Sequence, residues 1–292
     1  MRPLPMLAVA GQPFDSDAHL FEVKWDGIRA LAEVTGSRWA LWGRAGVEYT
    51  ARYPELAALG RLPAGTVLDG ELVALRGGRA DFPALLSRHH CCRPRLWGHP
   101  ALPVCYVLFD LLYLRGRPCM QEALVQRRAR LRELLEQTQD PALAFSDGVV
   151  GNGREFYQRA VAQGHEGVMA KLQSSGYRPG KRSTAWRKLK PTQTLPCLVI
   201  GYQVKGQRVR RLLVATVQAG TLRYVGRLRP GGTQPDLAQR LGARRRLWPL
   251  VPCPVAAGWL EPELYCQVAC QGWTSQGRLR YPVFAGWLEN PP

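Results

Sequence analysis

The chain has 292 residues, of which 46% are hydrophobic and 21% charged, and its formal net charge is +18. This composition excludes a disordered chain and provides enough apolar material for one large domain or two smaller ones. No apolar run approaches the ~18 residues that a membrane-spanning helix needs, and the N-terminal MRPLPMLAVAG has too short an apolar core for a secretory signal. We therefore expect a cytoplasmic protein.

The excess of positive charge indicates a polyanionic partner, and nucleic acid fits better than a membrane surface. A general preference for arginine with a solvated basic surface is the alternative that composition leaves open. Only six of the 40 basic residues are lysines, so arginine supplies nearly all of the generic positive charge. Each lysine is therefore a candidate for chemistry that arginine cannot perform.

Eight cysteines in a chain of this length do not indicate a disulfide framework, and we expect free thiols. The run His89-His90-Cys91-Cys92 invites a zinc interpretation, but no second ligand pair stands at zinc spacing. We therefore do not expect a metal cluster at this run.

Five segments in the first two thirds of the chain alternate with period two and are predicted as strands. In chain order they are LFEVKW, TVLDGELVAL, VCYVLFDLLYL, EGVMAKL and AWRKLK. Helical periodicity is clearest in QEALVQRRARLRELLEQT, and GREFYQRAVAQG is a second helix, with Asn152 as its cap and Gly164 at its end. Because strands and helices do not alternate regularly, we predict an α+β fold with antiparallel sheets.

The character of the sequence changes after Lys190, where KPTQTLPC carries two prolines and predicts a linker at about residues 191–195. Beyond it, roughly five short strands, a turn at Ala219-Gly220 and a helix near PDLAQRLGARRRL resemble a small barrel of the oligonucleotide-binding (OB) type. Residues 192–292 contain 13 basic and 4 acidic residues, which gives half of the excess charge. We predict two domains, 1–191 and 192–292, with the smaller one facing a polyanion.

The stretch FEVKWDGIR places Lys24 on a strand, with Glu22 on the same face. A turn at Asp26-Gly27 would bring Arg29 back toward the lysine. A lysine is a nucleophile only when neutral, and its ordinary pKa of about 10.4 means that it needs a desolvated or cation-rich pocket. Arginine cannot replace it, because a guanidinium is hardly ever deprotonated. Lys24 is the candidate nucleophile, and a surface lysine on a hairpin turn is the alternative.

Later segments supply groups that suit a nucleotide and a metal. Asp69 and Glu71 share a strand face, at a spacing that suits a divalent cation or a ribose hydroxyl. Phe109 is either an aromatic platform for a base or a core side chain, and the core is favoured for this residue taken alone. In WRKLK, Lys188 and Lys190 share a face at about 7 Å, so they could meet successive phosphates or form a solvated basic strand.

Taken in this order, the motifs resemble those of the nucleotidyltransferase superfamily of ATP-dependent DNA ligases, RNA ligases and messenger-RNA capping enzymes. They are KWDGIR, GRAG around Arg44, LDGEL, LFDLLYL, EGVMAKL and WRKLK, and with the small barrel they cover nearly the whole chain. LFEVKWDGIRAL, TARYPEL and QGWTSQGRLRYPVFAGW resemble most closely the ligase domain of bacterial end-joining DNA ligases. One departure is Gly43, which stands where the family usually has a serine before the arginine.

The resemblance implies a three-step reaction with ATP. Lys24 would attack the α-phosphorus and expel pyrophosphate, the adenylyl group would pass to the 5′-phosphate of a DNA break, and the 3′-hydroxyl would displace AMP. Carried over residue by residue, it makes Glu22 an adenine contact and Phe109 the ring that stacks on the base. It also implies that ribose and phosphate are held by Arg29, Arg44 and Glu71.

For the metal and the phosphates, the resemblance implies a second group of residues. Glu71 and Glu166 would bind Mg²⁺ or Mn²⁺, Arg182 and Lys188 would contact the nucleotide, and Lys190 would bridge to the α-phosphate. From the last motif, the pyrophosphate would be oriented by Arg278 and Arg280.

The implied partner is double-stranded DNA with nicks or ends, and a Ku-like end-binding protein is a candidate recruiter of a monomeric enzyme. With 23 residues before Lys24, the sequence has no room for the N-terminal domains of larger or NAD-dependent ligases, so ATP is the expected cofactor. The polymerase and nuclease modules often fused to end-joining ligases are also absent from it. Two alternatives stay open: an RNA ligase or capping-type guanylyltransferase, and a nucleic-acid-binding protein whose catalytic pocket has decayed.

Overall fold

The computed structural model describes residues 3–90, 103–206, 208–231, 237–274 and 276–289. The chain divides into two compact units, a large unit of residues 1–190 and a small unit of residues 191–292. Within the described ranges, no helix is long and apolar enough to cross a membrane.

The described part of the large unit contains twelve strands and three α-helices. The strands are β1 (Leu7–Gly11), β2 (Ser16–Val23), β3 (Ile28–Thr35), β4 (Arg38–Gly43), β5 (Thr66–Arg76), β6 (Arg79–Ala80), β7 (Val104–Leu114), β8 (Arg117–Pro118), β9 (Leu143–Phe145), β10 (Gly148–Gly151), β11 (Val168–Leu172) and β12 (Arg182–Leu189). The α-helices are α1 (Phe82–His90), α2 (Leu124–Thr138) and α3 (Gly153–Ala162), and 3-10 helices cover Thr50–Arg52 and Pro54–Arg61. The five predicted strands and both predicted helices of this unit are present. Two details are corrected: β2 ends at Val23, so Lys24 follows the strand instead of lying on it, and the Asn152 side chain makes no capping hydrogen bond.

Two sheets build the large unit. One has the strand order β1-β12-β11-β2-β10, and the other has the order β4-β3-β5-β7-β8 with β6 added to β5 and β9 to β7. Among the described strands, pairing is antiparallel except for β1 with β12 and β7 with β9. An apolar cluster that includes Leu31 and Phe109 from the second sheet and Trp186 from the first joins their facing sides.

Strand alternation divides the residues of the first sheet between two environments. Phe21 of β2 and Ala170 of β11 pack with Ala160 of α3 in a separate apolar cluster. Their neighbours Glu22 and Lys171 face the opposite way and line a pocket between the sheets. The period-two pattern of these strands therefore places polar side chains inside the unit, where they need charged partners.

The described part of the small unit contains seven strands and one α-helix: β13 (Gln193–Lys205), β14 (Arg208–Gln218), β15 (Thr221–Leu228), α4 (Leu237–Gly242), β16 (Arg245–Arg246), β17 (Gly258–Leu260), β18 (Tyr265–Cys270) and β19 (Val283–Leu288). The long strand β13 pairs with β14, β17 and β18 and contributes to two apolar clusters, one that contains Val199 and one that contains Ile200. The predicted helix covers α4, while its first residues, Pro235 and Asp236, lie outside the described residues.

Two expectations for the small unit are corrected. The count of roughly five strands is too low, because β16 and β17 are too short for a period-two pattern to reveal them. The predicted linker is wrong from Gln193 onward, since Gln193 already pairs with Cys270 in β13 and β18. Pro196 lies inside that strand. A proline is tolerated there only where the sheet does not require a backbone N–H donor at its position.

The His89-His90-Cys91-Cys92 run does not lie wholly within the described residues, because Cys91 and Cys92 fall outside them. His89 is buried, and its Nδ1 atom lies 2.8 Å from the Tyr53 hydroxyl oxygen. In the ranges that the structure covers, no three histidine, cysteine or acidic side chains are grouped as metal ligands.

A buried ion pair joins α2 to the central strand β7. Arg127 and Asp110 are fully buried, with Nε 2.7 Å from Oδ1 and Nη2 2.8 Å from Oδ2. The third nitrogen of Arg127 donates to the Ser175 carbonyl at 2.9 Å. The guanidinium thus neutralises a carboxylate next to Phe109 and ties three segments together.

We expect Arg127→Met to lower the free energy of unfolding by about 3–5 kcal/mol, because it leaves the Asp110 carboxylate buried without its partner. The matched control is Arg132→Met on the same helix, which breaks the exposed pair of Arg132 with Asp147, a residue between β9 and β10. That change should lower the free energy of unfolding by less than about 1 kcal/mol. Urea unfolding followed by circular dichroism measures both values, and similar losses in the two variants would contradict a structural role for the buried pair.

Candidate active site

A pocket opens between the two sheets of the large unit. Its lining comprises Glu22, Val23, Lys24, Trp25, Arg29, Glu71, Phe109, Met169, Lys171 and Trp186. The free volume is only about 50 Å³, because charged side chains fill its centre. Five of the predicted site residues (Glu22, Lys24, Arg29, Glu71 and Phe109) line this pocket.

The backbone around Lys24 is fixed on both sides. The Lys24 N–H donates to the Gly167 carbonyl at 2.9 Å, which places the lysine beside the segment that carries Glu166. A Cβ atom at Gly27 would lie 2.2 Å from the Leu72 carbonyl oxygen, so only glycine allows this close approach to β5.

Positive charge concentrates around one carboxylate at the mouth of the pocket. Lys24 Nζ lies 2.6 Å from Glu166 Oε2, and the Lys190 ammonium pairs with the other oxygen of Glu166. Burial lowers the pKa of Lys188, and the nearby charges of Lys190, Arg182 and Lys24 lower it further. The structure therefore brings together three predicted lysines and their shared acidic partner.

Glu71 is a second carboxylate beside the same lysine. Burial raises the pKa of Glu71 to about 7, although the positive charges of Arg29 and Lys24 oppose the rise. Smaller contributions from Asp69 and Glu166 act in the same direction as burial. Two acidic side chains, Glu71 and Glu166, thus interact with each other and with Lys24 at one end of the pocket.

Asp69, two residues before Glu71 on β5, holds another side chain in place and is not positioned to bind a metal or a ribose. It is fully buried and accepts two hydrogen bonds of 2.6 Å from the Arg29 guanidinium and one of 2.6 Å from the Tyr177 hydroxyl. The Arg29 guanidinium carbon lies 4.7 Å from the centre of the Phe109 ring. Asp69 therefore holds Arg29 in the pocket, and of the pair on β5 only Glu71 lines the cavity.

The deep end of the pocket is aromatic and carries a buried charge network. Glu22 is 1% exposed; its Oε2 accepts a 2.9 Å hydrogen bond from Arg128, and its Oε1 pairs with the Lys171 ammonium. Lys171 Nζ lies 4.0 Å from the Phe109 ring centre and 4.4 Å from the Trp186 ring centre. Phe109 is at once a core side chain and a wall of the pocket, so both of its interpretations apply.

Sequence reasoning did not assign Arg128 or Lys171 to the site. For Lys171 a signal existed, because it is one of six lysines and stands two residues after Met169 on the pocket-facing side of β11. For Arg128 the signal was its place on the apolar stripe of the predicted helix, four residues after Leu124 and three before Leu131, which indicates a buried arginine.

Four predicted nucleotide contacts lie outside the pocket lining: Lys188 and Lys190, which interact with Glu166, and the exposed Arg44 and Arg182. Arg44 is exposed in the turn after β4, and Arg182 is exposed and donates to the Ala8 carbonyl. At the preceding position, a Cβ atom on Gly43 would lie 2.1 Å from the Tyr49 hydroxyl oxygen. The Tyr49 ring therefore fills the space that a serine side chain would need.

The predicted pyrophosphate contacts belong to the small unit. The Arg278 guanidinium carbon lies 4.2 Å from the Tyr224 ring centre, and its Nη1 donates to the Tyr224 carbonyl. Arg278 lines a cavity of about 340 Å³ together with Arg223, whereas Arg280 is exposed. Their role toward pyrophosphate stays a prediction.

Comparison with known families and proteins matches both units. Residues 5–190 match the family model of the ATP-dependent DNA ligase domain, and residues 205–290 match that of the ATP-dependent DNA ligase C-terminal region. The multifunctional non-homologous end joining protein LigD of Mycobacterium bovis is 32% identical over 97% of this chain, and that of Pseudomonas aeruginosa is 34% identical over 93%. The chain spans 38% and 34% of the lengths of these two relatives.

Among solved structures, mycobacterial DNA ligase D complexed with ATP and MES matches 99% of this chain and 96% of its own, with 30% identity and a TM-score of 0.60. The predicted α+β fold with a small OB-type barrel is confirmed. The predicted family resemblance is confirmed as well, and the chain belongs to the ATP-dependent DNA ligase family.

Proposed function

We propose that this chain is an ATP-dependent DNA ligase that seals 5′-phosphate/3′-hydroxyl breaks through a covalent lysyl-AMP intermediate, in DNA repair or end joining. The observation that carries the proposal is the position of the Lys24 amine, 2.6 Å from Glu166 and flanked by Lys188 and Lys190. That arrangement provides a nucleophile, an acceptor for its proton and cations for a phosphate at one point.

In the first step, Lys24 Nζ loses a proton and attacks the α-phosphorus of ATP. Glu166 Oε2 already accepts a hydrogen bond from this nitrogen and is positioned to take the proton. A nitrogen–phosphorus bond forms as the bond to pyrophosphate breaks, and Lys190 and Lys188 offset the negative charge on the α-phosphate. The transfer depends on positioning and electrostatics rather than on further covalent chemistry.

The second and third steps use the same phosphate-binding groups. A 5′-phosphate oxygen of the DNA break attacks the adenylyl phosphorus, the nitrogen–phosphorus bond to Lys24 breaks, and the departing nitrogen takes back the proton from Glu166. The 3′-hydroxyl then attacks the 5′-phosphorus and loses its proton to solvent, and the bond from that phosphorus to an oxygen of AMP breaks. Lys188 and Lys190 remain in place to neutralise the phosphate oxygens in each transfer.

The deep end of the pocket favours adenine over guanine. Arg128 and Lys171 hold the Glu22 carboxylate as a hydrogen-bond acceptor, which suits the amino group of adenine. The corresponding guanine oxygen is itself an acceptor and would meet a buried negative charge. The free volume of about 50 Å³ requires Lys171 to leave the Phe109 ring when the base stacks there.

Glu71 and Glu166 fit a divalent cation. Both are carboxylates beside Lys24, and Mg²⁺ characteristically binds one or two carboxylates together with phosphate oxygens. When bound, Mg²⁺ or Mn²⁺ would supply charge neutralisation at the phosphates. Arg29, held by Asp69, points its guanidinium along the same pocket and suits ribose or phosphate. Arg44 and Arg182 would contact the nucleotide from exposed positions outside the pocket lining.

The proposed substrate is double-stranded DNA with nicks or ends. The formal charge of +18 supports a polyanionic partner, and the LigD relatives carry end joining in their names. A Ku-like end-binding protein as recruiter, a monomeric state and a cytoplasmic location complete the proposal, since a ligase must act where DNA breaks occur.

Lys24→Arg should abolish covalent AMP transfer from labelled ATP, because a guanidinium cannot supply a neutral nucleophile. Lys188→Arg and Lys190→Arg should fold normally but lose much of the rate of AMP transfer. The planar guanidinium group of arginine is wider than an ammonium group and does not fit in its place. Lys205→Arg, at an exposed position outside every motif, is the control and should match the parent. Labelled GTP should give no adduct.

Adduct formation by Lys24→Arg at the parental rate would refute the assigned nucleophile. A GMP adduct instead of an AMP adduct would favour the capping-type alternative, and the absence of any adduct in the parent would favour the decayed binding protein. Melting curves of all four variants separate lost chemistry from lost folding.

Glu71 should make stability depend on pH in the absence of metal. Its pKa is about 7 in the folded chain against an ordinary value of 4.5, so the folded state favours the protonated carboxyl. The contribution of Glu71 to the free energy of unfolding is therefore complete below pH 4.5, and it is lost as the pH rises through about 7. Glu71→Gln should remove this loss, which makes the variant more stable than the parent at pH 8 by at most about 3 kcal/mol.

Chemical unfolding at pH 5 and pH 8 measures this difference, with the exposed Glu136→Gln as the control. Mg²⁺ should stabilise the parent at pH 8 but not Glu71→Gln, because the cation requires the ionised carboxylate. A parent and variant with the same pH dependence would contradict the raised pKa.

A further inference from the structure

Two consecutive apolar side chains of the small unit, Leu247 and Trp248, project into solvent. Leu247 is 88% exposed and Trp248 is 74% exposed, the highest values for large hydrophobic side chains in the described ranges. Both follow directly on β16, which forms one end of the strand order of the small sheet. We call this pair the apolar tip. Adjacent exposed hydrophobic side chains of this size mark an interaction site rather than ordinary surface.

The residues before the apolar tip are anchored to the barrel. Arg245 and Arg246 pair with β17, Arg245 Nε donates to the Tyr202 hydroxyl at 3.0 Å, and Arg246 Nη1 lies 3.4 Å from Glu261 Oε2. These contacts fix the direction in which the chain enters the tip.

The residues after the apolar tip are anchored as well. Leu250 and Val251 pack with the apolar cluster that contains Ile200 and Tyr224. Prolines at positions 249, 252 and 254 further restrict the backbone. Because both flanks are held, a ligand that covers the tip pays little conformational entropy for ordering it.

The surroundings of the apolar tip favour an anionic ligand. Three arginines, Arg244 to Arg246, precede it; Arg244 and Arg246 are ion-paired with Glu263 and Glu261, so the local excess is one positive charge. The small unit as a whole carries 13 basic against 4 acidic residues between 192 and 292. The ligand must therefore offer negative charge and a flat apolar face within a short distance, and DNA presents both in its phosphates and bases.

We propose that Trp248 stacks on a base at the DNA break, where the interrupted backbone lowers the cost of separating neighbouring base pairs, with Leu247 packing beside it. The proposal rests on the proposed function, which makes broken DNA the substrate. A tryptophan stacks on any base, so this contact recognises the interruption of the duplex and not its sequence. It adds an apolar contribution to binding that depends little on salt.

The test compares the binding of a nicked duplex and of a covalently closed DNA circle by the parent, Trp248→Ala and Trp248→Phe. Trp248→Ala should bind the nicked duplex about five- to a hundredfold more weakly, the range that the stacking of one base supports. The closed circle should bind the parent and the variant alike, and Trp248→Phe should retain most of the affinity. The slope of affinity against salt should stay unchanged, because no charge is removed.

Val217→Ala is the control, since Val217 is a 64% exposed apolar residue of the same unit that lies outside the tip. If Trp248→Ala bound the nicked duplex as tightly as the parent does, the proposal would be overturned. An equal loss of affinity for the nicked duplex and for the closed circle would also overturn it. Loss of self-association in Trp248→Ala, measured by sedimentation, would assign the tip to a second copy of the chain and also overturn it. Covalent AMP transfer without DNA tests the proposed function separately, and it should be unchanged in Trp248→Ala.

Discussion

The site depends on a single carboxylate that keeps several lysines together. Two ammonium groups about 4 Å apart repel each other by about 4 kcal/mol at the effective dielectric of a protein surface. Glu166 offsets this repulsion by pairing with Lys24 and Lys190 at once, with Lys188 nearby. A phosphate that enters the pocket can pair with the same lysines in place of Glu166. Their clustered positive charge therefore favours binding of a phosphate. The hydrogen bond from Lys24 N–H to the Gly167 carbonyl keeps the two segments aligned.

Three buried carboxylates of the large unit are each held by an arginine. Arg29 holds Asp69, Arg127 holds Asp110, and Arg128 holds Glu22. Removing either partner of such a pair would leave an uncompensated buried charge, which makes these positions intolerant of change. The pairs also fix side chains that line the pocket, so stability and the geometry of the site rest on the same contacts. This coupling explains how a closely packed interior can carry so many charges.

The two units divide the physical tasks. The large unit holds the pocket, the candidate nucleophile Lys24 and the charge network, whereas the small unit contributes a barrel with a high density of arginine and an exposed apolar tip. Under the proposed function, the first unit activates the phosphate and the second adds affinity for broken DNA. Electrostatic attraction to phosphates is strong but nonspecific, and an apolar contact to a base adds discrimination that salt does not screen.

The sequence by itself predicted five of the described strands and two of the described helices of the large unit, the candidate nucleophile Lys24 and the family, because alternation, turn residues and motif order are local properties of the chain. It placed Glu71 and Glu166 near that lysine only through the family resemblance. Only the tertiary structure decided that Glu22 meets Arg128, 106 residues away, and that Tyr49 fills the space beside Gly43. It also decided that Gln193 belongs to a strand. Such pairings depend on which elements pack together, and no local pattern in the sequence records a contact between distant segments.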